Sequence, residues 1–263
     1  MLRALFTAAS GLFSQQSQLD AVANNIANVN TTGFKKTRLN FQDLMYQTIK
    51  APAGGSEVVG GAPNGLQIGT GVQVAGSQKI FSPGSLAQTE NPLDLAIDGD
   101  GLFQVRAPDG SLMYSRDGSF QVDGQGRLVT SSGYLVEPAI TIPPNTAEIS
   151  IGQDGRVRAT ASGGGGAQEV GQILLSRFIN PSGLKALGDN LFAATDAAGS
   201  PLTGEPGADG AGRLRQGYLE GSNVKVVEEM VQLIMAQRAF EINSRSVKAA
   251  DEMLSQTNNL SRG

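Results

Sequence analysis

The sequence predicts an α+β fold, with long N- and C-terminal helices paired as a coiled coil and a largely β middle region. Three observations predict it. Residues 223–260 contain neither Gly nor Pro, although the 263-residue chain has 35 Gly and 11 Pro. Residues 2–28 repeat apolar side chains at helical spacing. Between these segments, short apolar runs alternate with Asp-Gly turns, which is typical of β-hairpins.

The N-terminal segment is a heptad helix of about 28 residues. Its seam is interrupted only by Gln16 and runs through Leu2, Leu5, Ala9, Leu12, Leu19, Ala23 and Ile26. Gly33 can adopt the left-handed conformation that ends helices. Asn24 and Asn28 lie one turn apart and could fix the register between packed helices. A fraying, Asn-rich helix end explains them equally well.

Residues 34–92 are predicted to form an extended linker or long loop. Residues 39–45 could be a short helix or an extended arm, and residues 50–71 are rich in Gly, Ala and Pro. From residue 93 to 221 the pattern changes to short strands. Three predicted hairpins have turns at 108–110, 123–126 and 153–155, each containing Asp-Gly. Residues 168–178 are predicted as a strand and residues 195–212 as a loop.

The C-terminal segment carries two apolar seams on a helix on the order of 50 Å long. The first follows heptad spacing through Val226, Met230, Leu233, Phe240, Val247 and Leu254. The second lies nearly opposite and runs through Met235, Ala239, Ile242, Ala249 and Met253. Since a helix on one side of a core needs only one stripe, two stripes indicate two partners. Burial inside a larger helical domain is the alternative. The two terminal helices are expected to pair, which brings the chain ends together.

Composition argues against an enzyme. The chain lacks Cys and His, so it has no thiolate and no imidazole for catalysis or metal binding. Residues 98–101 (DGDG) lack the further ligands of a calcium loop. We therefore predict no catalytic residues, no cofactor and no metal. A net charge of −4 with scattered cations gives no nucleic-acid surface, and no membrane insertion is expected because no apolar run reaches about 18 residues.

Five motifs, in this order, resemble those of the bacterial flagellar rod and hook proteins. They are residues 23–36 (ANNIANVNTTGFKK), 94–103 (DLAIDGDGLF), 114–120 (YSRDGSF), 217–224 (GYLEGSNV) and 237–245 (QRAFEINSR). Together they span nearly the whole chain. The chain length and residues 46–71 fit the distal rod subgroup best. The resemblance implies that an additional segment here braces neighbouring subunits and keeps the rod straight. Its representative residues are Tyr46, Lys50, Pro52, Pro63 and Gly71.

The resemblance implies a structural subunit that self-assembles into a rigid helical tube and transmits torque across the periplasm to the hook. Implied partners are further copies of the chain, other flagellar rod proteins, the hook protein, the surrounding ring bushing and the flagellar export apparatus. Export without a cleaved signal peptide is expected, because Thr7 and Ser10 interrupt the first apolar run. The alternatives are a proximal rod or hook protein, or a β-domain adhesin with a coiled-coil tail.

The predicted domains are 1–33 with 222–263 as the helical tube core, 34–92 as the linker, and 93–221 as an outward-facing β domain. The predicted assembly interface comprises apolar seam residues together with the Asn-rich helix end. These residues are Leu2, Leu5, Leu12, Leu19, Asn24, Asn25, Ile26, Asn28, Val226, Met230, Leu233, Phe240, Ile242, Val247 and Leu254.

Overall fold

The computed structural model describes residues 2–50, 65–162 and 166–260. It confirms an α+β chain with a helix at each end and a β-rich middle. Helix α1 covers Leu2–Ala27 and helix α2 covers Val226–Leu260. The chain divides into two compact units. The first comprises Met1–Ile26, Thr37–Gln78 and Val226–Gly263, and the second comprises Ala27–Lys36 and Lys79–Lys225.

The first unit combines both helices with two small β-ladders. Strand β1 (Thr37–Asp43) pairs with β4 (Val72–Lys79), and β2 (Gln47–Lys50) pairs with β3 (Leu66–Ile68). Residues 39–43 therefore adopt the extended alternative and not the helical one. Helix α1 ends at Ala27, earlier than the stop expected at Gly33. Gly33 does have a positive φ of 67°, but it shapes a turn beyond the helix.

The second unit carries the remaining strands in several antiparallel sheets. They are β5 Leu86–Gln88, β6 Leu95–Asp98, β7 Leu102–Arg106, β8 Leu112–Ser115, β9 Phe120–Val122, β10 Leu128–Thr130, β11 Leu135–Glu137, β12 Thr146–Ile151, β13 Arg156–Ala161, β14 Gln168–Gln172, β15 Leu175–Arg177, β16 Lys185–Gly188, β17 Leu191–Ala193, β18 Leu202–Gly204, β19 Arg213–Gln216 and β20 Tyr218–Glu220. The main sheet orders its strands β16-β17-β8-β7-β11-β10-β9, with β15 also on β7 and β18 on β15.

All three predicted hairpins are present. They are β7–β8, β9–β10 and β12–β13, and their turns hold Gly110, Gly126 and Gly155 at φ of 86°, 80° and 81°. Two local expectations were wrong. The single strand expected at 168–178 is divided into β14 and β15, which join different sheets. The loop expected at 195–212 contains β18, because pairing with β15 supplies backbone hydrogen bonds that composition does not reveal.

Long-range pairs close the second unit. Strand β19 pairs with β6, and β20 pairs with β5, so the end of the unit folds back onto its beginning. The largest hydrophobic cluster among the described residues draws on β6, β19 and several strands of the other sheets. It includes Phe103, Phe120 and Leu175, with the Phe103 and Phe120 rings edge to face at 5.0 Å. Neither described helix is long and apolar enough to cross a membrane.

Candidate functional site

The inward face of α2 packs along α1 in an antiparallel direction. Gln18 Nε2 donates to Gln232 Oε1 at 3.5 Å, whereas near the other end of the contact Gly11 lies against Asn243. A side chain at Gly11 would approach Asn243 Nδ2 to 2.9 Å, so glycine permits this close approach. The buried and half-buried α2 positions recur mostly at steps of three and four, as on one face of a helix. They are Glu229, Leu233, Ala236, Ala239, Asn243, Ser244, Val247, Ala250 and Leu254.

The predicted interface residues divide between the two faces of the helices. Half-buried inside the unit are Leu5, Leu12, Leu19, Ile26, Leu233, Val247 and Leu254. Exposed are Val226, Met230 and Ile242, and Phe240 is 37% exposed at the margin of the inward face. The side chain of Leu2 lies outside the described residues. Half of the first α2 seam, namely Leu233, Val247 and Leu254, is therefore used within the chain, whereas Ile242 of the second seam faces solvent.

An apolar stripe remains exposed on the opposite side of α2. Its members are between 49% and 75% exposed and comprise Val227, Val231, Ile234, Met235, Ile242 and Met253. We call this set the outer stripe. Helix α1 likewise exposes Phe6 and Phe13, at 73% and 72%. Large apolar side chains clustered in this way on a surface are typical of protein–protein interaction sites. Both helices thus leave apolar surface that this chain does not cover.

The asparagines at the end of α1 have different environments. Asn25 is 2% exposed, and its amide exchanges two hydrogen bonds of 2.9 Å with the backbone of Thr37. The same Nδ2 donates to Glu229 Oε2 of α2 at 3.1 Å. Asn25 therefore joins three segments of the first unit from its interior, and its side chain is not on the surface. Asn24 is exposed, and Asn28 accepts a hydrogen bond from Thr31 Oγ1.

A buried ion cluster lies in the second unit. Lys35, Arg116 and Glu220 are between 1% and 5% exposed. Lys35 Nζ lies 2.7 Å from Glu220 Oε1, and Arg116 Nε donates to Glu220 Oε2. The remaining guanidinium nitrogens of Arg116 donate to the carbonyls of Ile97, Gly99 and Gly101. Those carbonyls belong to the DGDG region, so this turn holds an arginine.

Backbone contacts reinforce the cluster. Gly84 N–H donates to Glu220 Oε1 at 2.8 Å, and Gly33 N–H donates to the Glu220 carbonyl at 2.8 Å. A Cβ on Gly33 would lie 2.7 Å from the backbone of Arg116, which explains why glycine is required there in addition to its positive φ. Each of the three charges lies in a different quoted motif, so the cluster connects three motifs in space.

Asn223 ties together three chain segments beside the ion cluster. Its Oδ1 accepts from the Lys36 N–H at 2.7 Å, while its Nδ2 donates to the carbonyls of Ile80 and Ser82. Ile80 N–H donates in turn to the Lys36 carbonyl at 3.0 Å. These segments lie next to three of the four boundaries where the chain passes between units, namely those after residues 36, 78 and 225.

Burial and charge act in opposite directions on the ion cluster. Burial lowers the pKa of Lys35 below its usual range, despite the nearby Glu220. Burial alone would raise the pKa of Glu220, but Arg116 and Lys35 together outweigh it, so the Glu220 pKa is lowered. Glu220 is accordingly ionised at neutral pH and neutralises part of the buried positive charge. A buried charge without a partner would be strongly destabilising.

The predicted stiffening segment is only partly described. Pro52 and Pro63 lie outside the described residues. Tyr46 directly precedes β2 and Lys50 is its last residue, and both side chains are exposed. Gly71 has a φ of 129°, and its Cβ would lie 2.2 Å from Ser10 Oγ of α1. The next residue, Val72, donates its N–H to that hydroxyl at 3.3 Å. The segment is therefore anchored to α1 through a close backbone approach.

The ion cluster and Asn223 were missed by reasoning from the sequence. An isolated Lys, Arg or Glu in one sequence normally indicates a solvated side chain. The available signal was that each charge stands inside a motif of the resembling family. Spacing alone did not indicate that residues 35, 116 and 220 meet, because they are far apart along the chain.

Comparison with known proteins identifies the family. Three family models match: the flagella basal body rod protein model at residues 5–35, the flagellar hook protein FlgE/F/G D1 domain at 96–159, and the flagellar basal body rod FlgEFG protein C-terminal model at 215–260. Each of the three matched regions contributes one residue to the ion cluster: Lys35, Arg116 and Glu220, in that order. The large exposed apolar residues of α1 and α2 lie in the first and third matched regions.

Relatives that align over their full length point to the same family as these models. The flagellar basal-body rod protein FlgG of Buchnera aphidicola from Schizaphis graminum is 47% identical over 260 residues, covering 99% of this chain and 100% of the relative. That of Borreliella burgdorferi is 48% identical over 264 residues, with both chains covered completely. That of Bacillus subtilis is 40% identical over 267 residues, again covering both chains completely. The chain therefore belongs to the FlgG family of flagellar basal-body rod proteins, which are structural proteins of the distal rod and not enzymes.

Proposed function

We propose that this chain polymerises into the rod through its terminal helices, and that the polymer is the rigid distal tube that transmits torque to the hook. The observation that carries this proposal is the outer stripe of α2, together with exposed Phe6 and Phe13 on α1. Burial of such surface in a polymer yields about 25 cal/mol per Å² of apolar area. A head-to-tail contact that does not close then produces a filament.

In this proposal the two helices pair as a coiled coil at the tube core, and the β unit forms the outer part of the subunit. The predicted interface residues that are exposed contact neighbours, and those that are half-buried support the helix pair. The other flagellar rod proteins and the hook protein are neighbours along the axis. The ring bushing and the export apparatus are further proposed partners, with export from the cytoplasm requiring no cleaved signal.

The test is a charge placed on the outer stripe. Ile234→Asp should abolish polymers seen by negative-stain microscopy and sedimentation at rising protein concentration, because a buried unpaired carboxylate is strongly unfavourable. Gln237→Asp introduces the same charge on the same helix outside the stripe and should still polymerise. If Ile234→Asp forms normal polymers while circular dichroism shows a folded chain, the outer stripe is not an assembly surface.

The distal assignment predicts a special role for residues 46–71. Replacing 50–71 by a flexible Gly/Ser segment of equal length should give polymers that are curved or less stiff. Unchanged straight polymers would show that residues 50–71 do not determine the stiffness of the polymer. An adhesin with a helical tail would form a small oligomer of fixed size and no polymer.

A further inference from the structure

We propose that the outward face of α1 docks antiparallel on the outer stripe of α2 in a second copy of the chain, with Phe6 and Phe13 as the inserted side chains. This inference rests on the proposed self-assembly and specifies which surfaces meet. Phe6 and Phe13 are the most exposed aromatic rings among the described residues, at 73% and 72%. They lie one heptad apart, about 10 Å along the helix, on one line of α1.

The outer stripe offers complementary space for these rings. Toward its C-terminal end the stripe has the large side chains of Ile242 and Met253 on either side of the exposed, small Ala249. Knobs-into-holes packing places a large side chain between such neighbours. In the proposed register Phe13 enters between Ile242 and Ala249, and Phe6 enters between Ala249 and Met253.

The direction follows from the symmetry of a polar filament. Every copy points the same way along the axis, so helices that lie along the axis keep their direction from copy to copy. Helices α1 and α2 run antiparallel within the chain, as the contacts of Gly11 with Asn243 and of Gln18 with Gln232 show. Helix α1 of one copy therefore also meets α2 of another copy in the antiparallel direction.

Charge selects the register. With Phe6 near Met253, the exposed Asp20 of α1 comes opposite the exposed Arg238. At the other end, Arg3 comes within one helical turn of Glu252, and both are exposed. Opposite charges across an interface favour one register over others. Arg245 lies beside the site that Phe13 enters, where a guanidinium can stack on the ring.

A competing register also has heptad spacing but fails on charge. It would place Phe6 against Ile242 and Phe13 against Met235, two exposed residues that are themselves seven positions apart. Asp20 would then come opposite Glu228, and Arg3 would come opposite Arg245. Like charges at both ends are unfavourable, so the register with Phe6 near Met253 is preferred.

Disulfide trapping distinguishes the registers, and the chain contains no Cys to interfere. The Phe6→Cys variant is mixed with the Met253→Cys variant under polymerising and oxidising conditions, and a covalent dimer is expected on a non-reducing gel. The mixture of Phe6→Cys with Ile242→Cys should give none, because residues 242 and 253 are about 16 Å apart on the helix. A disulfide needs Cα atoms within roughly 7 Å.

The outcomes separate this inference from the proposed function. Cross-linking of the Phe6→Cys and Ile242→Cys mixture instead, or of neither mixture while microscopy shows polymers, overturns the docking register and leaves self-assembly intact. If the unmodified chain forms no polymer at any concentration, the proposed function fails and the docking surface fails with it. Each single variant alone is the control for dimers formed between identical positions.

A charge exchange gives a second, independent readout. Asp20→Arg should raise the critical concentration for polymerisation about three- to fivefold, the effect of an exposed ion pair, and adding Arg238→Asp should restore it. The competing register predicts the opposite sign, since Asp20→Arg would place a cation opposite Glu228 and lower the critical concentration. Failure of the double variant to recover, with normal circular dichroism, would also overturn the proposal.

Discussion

At the scale of single residues, Glu220 is the centre of the second unit's polar interior. Its carboxylate accepts hydrogen bonds from Lys35, Arg116 and the Gly84 N–H, and its own carbonyl accepts one from Gly33. One anion thus joins residues that are almost 190 positions apart. A buried ion group of this kind specifies which segments meet, while its net stabilisation is limited by desolvation.

Glu220→Gln should destabilise the second unit by about 3–5 kcal/mol, because it leaves two buried cations without their anion. Urea unfolding of the full-length monomer, followed by circular dichroism, measures the change. The matched control is Glu137→Gln, which breaks the partly exposed pair with Arg106 and should cost less than about 1 kcal/mol. Equal effects of the two substitutions would show that the buried cluster is not a stability determinant.

The free energy of unfolding should fall in acid, because the Glu220 carboxylate becomes protonated. The pKa of Glu220 is lowered from its usual 4.5 by Arg116 and Lys35 against the effect of burial. Because the folded pKa lies below the unfolded one, the stabilisation is complete above about pH 4.5 and is lost as pH falls through the folded pKa. The pKa values of Asp109 and Asp123 are lowered too, each by hydrogen bonds, so the decline has several contributors.

The measurement is the urea midpoint of the monomer between neutral pH and pH 3. Glu220→Gln should start from a lower midpoint and decline less steeply in acid than the unmodified chain, because one titrating group has been removed. If both chains decline in parallel, the titration of Glu220 does not contribute to acid stability.

At the scale of elements, what the sequence predicted was local. The Asp-Gly hairpins were correct because each turn and its two strands are contiguous, and the terminal helices were correct because periodicity is a property of a single segment. The pairings of β19 with β6 and β20 with β5 were not predictable, since they join segments more than 100 residues apart.

The assignment of helix faces shows the same limit. Heptad spacing identified two faces on α2, but not which one the chain itself covers. The structure places Leu233 and Val247 of one seam inward and Ile242 and Met253 of the other outward. Periodicity gives the angle between faces, whereas choosing the covered face requires knowledge of α1 in three dimensions. Asn25 shows this limit too: the sequence analysis placed it with Asn24 in one predicted interface, but Asn25 is buried and Asn24 is exposed.

Gly71 permits an element-level prediction for the predicted stiffening segment. Gly71→Ala should release β4 from α1, because its Cβ would clash with Ser10 Oγ and the positive φ adds about 1–3 kcal/mol of strain. Hydrogen exchange of backbone amides 72–79 should accelerate, and polymers should become more curved if this segment braces neighbours. Gly110→Ala is the control, since Gly110 has a φ of 86° but a Cβ added there would meet no atom within 4 Å.

At the scale of the whole molecule, the two units differ in how much hydrophobic core they contain. The three hydrophobic clusters found among the described residues all lie in the second unit. In the described part of the first unit, the fully buried apolar side chains are Val22, Ala236 and Ala250. Two of these are alanines and contribute little apolar area. Helices of this length derive most of their stability from packing against partners. The first unit is therefore expected to be only marginally stable in the monomer.

Assembly should therefore stabilise the helices far more than the β unit. By mass action, a subunit held at about 100 times its dissociation constant gains about 2.7 kcal/mol, so amide exchange in α1 and α2 should slow about 100-fold on polymerisation. Amides of β7 and β8, already within the core sheet, should change much less. Hydrogen exchange with mass spectrometry on monomer and polymer compares the two regions in one experiment. Helices that exchange as slowly as β7 in the free monomer would show that the first unit is stable without neighbours, and the exposed outer stripe would then need another explanation.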